Sequence, residues 1–206
     1  MNEIRIAFED QLSEFVIRKL FSHLSLNFQI VCLNKNYSRT GFGYIKDSIN
    51  KWNSADDSLL FFVLTDLDKY NCAPELIQGW IKNPIRSNLF FRVAVREVEA
   101  WLLADDDNFS KYTGLDFDFI EKETRDVEKI TDPKEKLLSL VKRSKKRELI
   151  TDIVREESSQ LKQGPAYNTR LQEYLDHHWD INKARLKSDS LDRALKALEQ
   201  LQQRAA

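Results

Sequence analysis

Two aspartates, Asp66 and Asp68, follow an apolar run that begins at Phe61. Buried strands of parallel sheets have such hydrophobic sequences, and ligands of open α/β sheets gather beyond the carboxyl ends of the strands. Residues two apart in a strand share a face, so both carboxylates can point into such a crevice while Leu67 packs the other way. Oxygen ligands at this spacing suit Mg²⁺ or Mn²⁺. The alternative is a simple strand-end turn, because aspartate also favours turns and helix caps.

Acidic residues follow two other apolar segments as well. Glu9 and Asp10 follow the first segment, and Glu97 and Glu99 follow the segment that ends at Val95. If these segments are parallel strands, three acidic pairs meet at one sheet edge, where one or two Mg²⁺ ions would offset their repulsion. Glu97 and Glu99 share a face in a strand but lie about 200° apart in a helix. We favour Glu97 as the carboxylate that faces the metal, with Glu99 as a metal ligand or a helix salt-bridge partner.

Mg²⁺ held by carboxylates often acts on phosphate groups, and if this acidic pocket accepts a phosphate ester it also needs cations nearby. Lys69 directly follows Asp68, and Arg96 lies at the end of the fourth predicted strand. Arg92 is the weaker candidate because its position falls within that strand. We therefore expect Lys69 and Arg96 to contact phosphate or the charge of a transition state.

Two basic segments predict further contacts with nucleic acid. The segment 34–44 carries Lys35 and Arg39 between aromatics and glycines and could follow a sugar–phosphate backbone. A second cluster could bind nucleic acid or form a solvated helix face. It consists of Lys142, Arg143, Lys145, Lys146 and Arg147.

Strand and helix patterns alternate through the first half of the chain, which predicts an α/β fold with a mainly parallel sheet. Trp80, Trp101 and Trp179 are expected in the core, and Asp105, Asp106 and Asp107 at a solvated helix end. The predicted strands cover residues 4–8, 27–33, the segment ending at 66, and 89–95. The predicted helices cover about 12–24, 44–52, 74–82 and 97–104.

Beyond Gly114 the strand signal fades and the pattern becomes charged and helical. We therefore expect a Rossmann-like core at residues 1–114 and a helical extension at 115–206. The extension includes a helical segment at 116–159 and helices at about 167–178 and 190–203. Ser188 or Ser190 could cap the last helix. Tyr167 and Asn168, after Gly164 and Pro165, indicate a turn that docks these helices.

Composition predicts a soluble cytoplasmic protein. The chain has 206 residues, of which 42% are hydrophobic, and a net charge of −1. Two cysteines support neither a disulfide framework nor a cysteine-based zinc site. No signal peptide or membrane-spanning run is recognisable, so we expect no membrane association. The C-terminal helices could pack on their own domain or form a homodimer, since both leave the same periodicity.

The acidic pattern resembles the Toprim fold, which topoisomerases, bacterial primases and overcoming-lysogenization-defect nucleases share. The glutamate of FEDQLSE and the later DxD match that fold. The strings TDLDKYNCAPELIQGW, FRVAVREVEAWLLAD, GFGYIK, GPAYN and SDSLDRAL resemble a small bacterial Toprim-like family often encoded beside ATPase genes. This resemblance spans nearly the whole chain. Many Toprim proteins have glycine after the first glutamate, whereas Asp10 follows Glu9 here.

The resemblance implies a Mg²⁺-dependent nuclease, a phosphodiester hydrolase. Glu9, Asp66 and Asp68 would take the Toprim positions, and Glu97 or Glu99 would supply the further acid of the nuclease branch. It also implies nucleic-acid binding, with DNA favoured over RNA, and antiviral defence beside an ATPase partner. A noncatalytic Toprim-like module that binds a partner protein or nucleic acid is the alternative. A third alternative is a phosphatase acting on nucleotides, against which the lack of a nucleotide-binding glycine loop counts.

Overall fold

The first compact unit of the chain is built on a four-stranded parallel sheet. The computed structural model describes residues 2–34 and 41–205. This unit contains Met1–Val95 and Arg193–Ala206. Its strands are β1 (Asn2–Ala7), β2 (Phe28–Cys32), β3 (Leu60–Asp66) and β4 (Leu89–Ala94), in the order β2-β1-β3-β4. Its first helices are α1 (Gln11–His23), α2 (Phe42–Asn53) and α3 (Ala73–Trp80). The predicted α/β class and parallel sheet are confirmed.

Helices cover both faces of this sheet. Phe61 and Val63 of β3 pack in one apolar cluster with residues of α2 and α3, including Trp52 and Trp80. The intervening Phe62 points to the opposite face, where Phe21 of α1 meets its ring edge-on at a centroid distance of 5.7 Å. A strand buried on both faces explains the nearly continuous apolar sequence of β3.

The strand order places a topological switch point between β1 and β3. The chain leaves β1 through α1 to pair β2 on one side, and β3 pairs on the other side of β1. The parallel register pairs Ala7 with Val63 and Asp66 with Ala94, so β1, β3 and β4 end at the same edge. Open α/β sheets bind ligands at this position because the connections diverge there and leave a crevice.

The second unit, Arg96–Asp192, is mainly helical. Trp101 at its centre is fully buried, donates its indole N–H to Ser190 Oγ at 2.8 Å, and accepts at its carbonyl from Trp179 Nε1 at 3.1 Å. Its longer helices are α4 (Val98–Leu103), α5 (Asp106–Thr113), α6 (Phe117–Glu123), α7 (Pro133–Lys142), α8 (Arg147–Ile153) and α9 (Tyr167–His177). A short 3₁₀ turn (Val127–Lys129) and helix α10 (Ile181–Ala184) complete the helical part. The expectation of core positions for Trp80, Trp101 and Trp179 is confirmed.

A two-stranded antiparallel hairpin interrupts the segment expected to be helical throughout. Strands β5 (Val154–Glu157) and β6 (Gln160–Gln163) join through Ser158 and Ser159, whose φ angles are 48° and 67°. Two-residue hairpin turns need left-handed backbone, which glycine or asparagine usually supplies. The serine pair and the charged strands concealed this hairpin, so the prediction of an all-helical 116–159 segment is wrong.

The boundary between the units differs from the one expected at 114/115. The second unit begins at Arg96 because α4 packs against α7, within the same unit. The C-terminal helix α11 (Asp189–Ala205) belongs to the first unit from Arg193 onward. Its first turn is capped by Ser188, whose Oγ accepts from Leu191 N at 3.3 Å. No helix among the described residues is long and apolar enough to cross a membrane.

Candidate functional site

Glu9 connects the ends of the two central strands. It lies two residues beyond β1, and its Oε1 accepts a hydrogen bond from the backbone N–H of Asp66 at 2.9 Å. The Thr65 hydroxyl donates to the same oxygen. Both donors belong to the last two residues of β3, so the Glu9 carboxylate lies at the switch point of the sheet. The predicted proximity of Glu9 to the DxD segment is confirmed.

Asp66 and Asp68 occupy different backbone settings. Asp66 ends β3 and is only 8% exposed, whereas Asp68 is exposed in the turn that follows. Leu67 between them is buried in the apolar cluster of the α2/α3 face, and its N–H continues the β3–β4 pairing by donating to Ala94 O at 2.9 Å. The φ angle of Asp68 is 49°, a left-handed conformation that aspartate tolerates better than most residues. The position of Asp68 is therefore set by the turn after β3, and not by the strand geometry that the i, i+2 spacing had suggested.

The electrostatics of Glu9 reflect this position. Burial raises the pKa of Glu9 above its ordinary value, and the charges of Asp68 and Asp10 raise it further. The hydrogen bonds from Thr65 and Asp66 oppose that shift, because they stabilise the charged form. The effect of Asp68 on Glu9 shows that these carboxylates share one local field at the edge of the sheet.

Asp10 is a helix cap. Its side chain accepts from Ser13 N at 2.9 Å and from Ser13 Oγ at 2.8 Å at the start of α1. Its φ of −143° is ordinary extended backbone, so the backbone at residue 10 does not require glycine. The expected pairing of Asp10 with Glu9 as a strand-end acid is replaced by a capping role.

Both flanks of the segment 35–40 are bonded to the chain around Glu9. The Asn34 side chain donates to Phe8 O at 2.6 Å, and its Oδ1 accepts from Phe8 N at 3.4 Å. At the other flank, Gly41 N donates to Glu9 O at 2.9 Å. The nucleic-acid contacts predicted for Lys35 and Arg39 lie outside the described residues.

The cations predicted beside the DxD segment differ in position. Lys69 is exposed in the turn next to Asp68, as a phosphate contact requires. Arg92 lies mid-strand opposite Leu64, where burial lowers its pKa, and its Nε is buried without a hydrogen-bond partner among the described residues. Arg96 is partly buried at the start of the second unit.

Glu97 and Glu99 converge on Lys134 in the second unit. Glu97 is the N-cap of α4 and its Oε2 accepts from Lys134 N, in the first turn of α7, at 2.9 Å. Glu99 is fully buried, and its Oε1 accepts from Tyr167 Oη at 2.8 Å and lies 3.5 Å from Lys134 Nζ. Because Glu97 has extended backbone and precedes the helix, both carboxylates reach the same residue. The sequence had indicated Tyr167 through the GPAYN string, but no signal pointed to Lys134.

The Glu97 carboxyl is the most perturbed acid of this group. Burial raises its pKa to about 7, the Glu99 charge adds to the shift, and Lys134 opposes it. Near neutral pH the Glu97 carboxyl is therefore present in both its protonated and its ionised form. Its hydrogen bond from Lys134 N links the start of α4 to the first turn of α7.

The basic cluster is exposed, as predicted, but several members have partners of their own. Lys142 pairs with Glu156 at 2.9 Å, and the Arg143 guanidinium lies 5.4 Å from the Phe119 ring centroid. Lys146 lies 5.7 Å from the Tyr112 ring centroid. Lys145 and Arg147 are also exposed. Nucleic-acid binding by Lys142, Arg143, Lys145 and Lys146 stays a prediction.

The acidic run at the start of α5 is only partly solvated. Asp105 is fully buried, caps α5 by accepting from Asn108 N at 3.4 Å, and accepts from Asp180 N at 2.6 Å. Asp106 is 6% exposed and pairs with Lys187, while Asp107 pairs with Lys183. The prediction of a solvated helix end is wrong for the buried Asp105 and Asp106, whose partners are distant in sequence. The Asp107 side chain keeps 35% of its surface exposed and also pairs with Lys111 of its own helix.

Among the described residues, no three His, Cys, Asp or Glu side chains are grouped as a ready-made metal site. Magnesium commonly takes one or two protein carboxylates and completes its shell with water and substrate phosphate. Asp66 and Asp68, which end and follow β3 next to the Glu9 hydrogen bond, supply the two carboxylates that this mode of binding uses. Comparisons with protein-family models, curated proteins and solved structures find no match to this chain.

Proposed function

We propose that the chain is a Toprim-like, Mg²⁺-dependent nuclease that hydrolyses phosphodiesters at the edge between β1 and β3. The observation that carries the proposal is the bond from Asp66 N–H to Glu9 at 2.9 Å, which brings the glutamate and the DxD segment together at the switch point. Acidic residues at this point suit a hard cation, and such a cation suits a phosphodiester.

Asp66 and Asp68 are the proposed metal ligands. Bound there, Mg²⁺ or Mn²⁺ would neutralise charge on the phosphate and lower the pKa of a water molecule. Asp66 approaches the edge from the rigid end of β3, and Asp68 from the turn that follows it. Asp66 would hold the metal from a fixed position, and the exposed setting of Asp68 leaves room for a substrate phosphate to bind the same metal.

Glu9 has one carboxylate oxygen occupied by Thr65 and Asp66 and offers the other. The second oxygen can bind the metal or accept a proton from the attacking water. Burial raises the pKa of Glu9, and a carboxylate of higher pKa is the better proton acceptor. Glu9→Gln separates the roles: loss of turnover with retained metal affinity assigns the base, and loss of both assigns the ligand.

Lys69 is the proposed phosphate contact, since it is exposed and adjacent to Asp68. Arg96, Glu97 and Glu99 stay predictions from the sequence for the same chemistry. The resemblance adds an ATPase as partner protein and a role in antiphage defence.

The test is cleavage of supercoiled plasmid, linear duplex, single-stranded DNA and RNA with Mg²⁺, Mn²⁺ or EDTA. The inactive variant is Asp66→Asn/Asp68→Asn, because asparagine tolerates the left-handed backbone of residue 68. The matched control is Asp57→Ala, which removes an exposed aspartate before β3, at the opposite end of that strand, where it pairs with Arg86. Cleavage by wild type and control, abolished by EDTA and by the Asn variant, supports the proposal.

Metal binding measured by calorimetry distinguishes the remaining outcomes. Binding without cleavage would point to a missing partner or substrate. Neither binding nor cleavage would reject the catalytic site and favour the noncatalytic module. Hydrolysis of nucleotides but not polymers would favour the phosphatase.

A further inference from the structure

Phe42, at the start of α2, is a half-exposed aromatic side chain. Half of its surface is exposed, although the apolar side chains of the same helix, such as Ile45 and Ile49, are fully buried. It is flanked by Gly41 and Gly43, and a Cβ atom at either position would meet nothing within 4 Å. Gly41 has a φ of 87°, which requires glycine, but nothing in the backbone or the packing requires it at residue 43. Among the described residues, the space beside both glycines is therefore open.

The backbone places this ring beside the proposed active site. Gly41 N donates to the carbonyl of Glu9 at 2.9 Å, so Phe42 is one residue from a direct contact with the catalytic segment. Tyr70, which follows Asp68 by two residues, contacts the same Trp80 as Phe42 and is held in the turn by its N–H bond to Leu67 O at 3.1 Å. Phe42 therefore lies near the Glu9 backbone, and Tyr70 follows Asp68 in the same turn.

The Trp80 ring packs against the Phe42 ring. The two ring centroids are 6.3 Å apart with an interplanar angle of 34°, and Trp80 is only 3% exposed. The Trp80 indole N–H donates to Tyr70 Oη at 3.1 Å, and its ring stacks on Phe91 of β4 at 5.8 Å. Phe42 is consequently a half-exposed ring that packs on Trp80, whose own position is fixed by Tyr70 and Phe91.

We propose that Phe42 stacks on an unpaired base next to the scissile phosphodiester, so that the substrate is single-stranded nucleic acid. This inference rests on the proposed function. A flat ring one residue from the Gly41–Glu9 hydrogen bond suits a nucleotide, because a base offers the ring an apolar face while its phosphate would lie at the proposed metal site. In a duplex, both faces of a base are covered by its neighbours, so an unpaired base is the fitting partner.

The test measures binding of a short single-stranded oligonucleotide containing 2-aminopurine, with Ca²⁺ in place of Mg²⁺, by fluorescence quenching and anisotropy. Loss of one stacking aromatic weakens such binding about 5- to 150-fold. We expect that loss for Phe42→Leu, which keeps an apolar contact with Trp80, and near wild-type affinity for Phe42→Trp. The control is Ile85→Ala, which alters another exposed apolar side chain of the first unit, 44% exposed.

Unchanged affinity in Phe42→Leu would overturn the inference, as would equal or tighter binding of the matched duplex or no binding of the single strand. A dimer that depends on Phe42, with unchanged oligonucleotide affinity, would instead assign the ring to a contact between copies. Asp66→Asn/Asp68→Asn separates this proposal from the previous one. If wild type cleaves and Phe42→Leu binds normally, only the stacking role fails. If no metal is bound and nothing is cleaved but quenching depends on Phe42, only the nuclease proposal fails.

Discussion

The carboxylate of Glu9 accepts the backbone N–H of Asp66 at 2.9 Å, a contact between residues 57 positions apart. A backbone donor cannot be removed by substitution of its side chain, so this bond also forms in variants of Asp66. Asp66→Asn therefore tests the chemistry of the carboxylate while the link between β1 and β3 stays in place.

Thr65→Val should destabilise the first unit by about 1–2 kcal/mol, because it removes a buried donor to a carboxylate while nearly preserving shape. Thr65 is 1% exposed and donates to Glu9 Oε1. Urea unfolding measures the change. Thr131→Val, at an exposed threonine, should stay within about 0.5 kcal/mol of wild type. Equal effects of both variants would contradict a structural role for the Thr65 hydroxyl.

Tyr167→Phe should destabilise the second unit by about 1.5–3 kcal/mol, since it removes a donor to the fully buried Glu99 carboxylate. Tyr112→Phe is the matched control, because Tyr112 Oη donates to the uncharged carbonyl of Arg170 at 2.9 Å. The control should lose only about 0.5–1.5 kcal/mol. Chemical denaturation of both proteins compares them, and a larger loss in Tyr112→Phe would argue against a charged Glu99.

Gly164→Ala should destabilise by about 1–3 kcal/mol or more, because its Cβ would lie 2.5 Å from the carbonyl oxygen of Asp152. The clash is with backbone, which cannot rotate away. Gly79→Ala in α3 meets nothing within 4 Å and should be neutral or stabilising by up to about 1 kcal/mol. Thermal unfolding of the pair checks the contrast. Wild-type stability of Gly164→Ala would show that the GPAYN turn can move.

Glu97 should make stability fall as the pH rises from about 4.5 to about 7. Its pKa is about 7 in the folded chain against an ordinary value of 4.5, so the folded state binds more protons in this range. Glu97→Gln keeps an acceptor for Lys134 N and removes the titration. Relative to wild type, its melting temperature in EDTA should therefore improve between pH 5 and pH 8.

The control for this titration is Glu148→Gln, which changes an exposed carboxylate in the first turn of α8. Its melting temperature should follow that of wild type across the same range. An identical pH dependence in Glu97→Gln would show that Glu97 does not control this part of the profile.

The four strands were predictable because each carries a short apolar-rich segment bounded by polar residues. The placement of Asp66 and Glu9 at one edge followed from the rule that parallel strands end together. Periodicity also identified α1, α2 and α3 to within a few residues. The hairpin of β5 and β6 escaped because its strands are exposed and charged, and such strands carry no hydrophobic period.

What the sequence determined by itself is therefore the local pattern: which segments are strands or helices, and which acids follow the strands. Only the tertiary structure decided how those acids are used, because hydrogen-bond partners distant in the chain leave no periodic signal. It assigned Thr65 and the Asp66 amide to Glu9, made Asp10 a helix cap, and joined Glu97 and Glu99 at Lys134. Strand patterns arise from neighbouring residues, whereas the field at a carboxylate arises from whatever the fold packs around it.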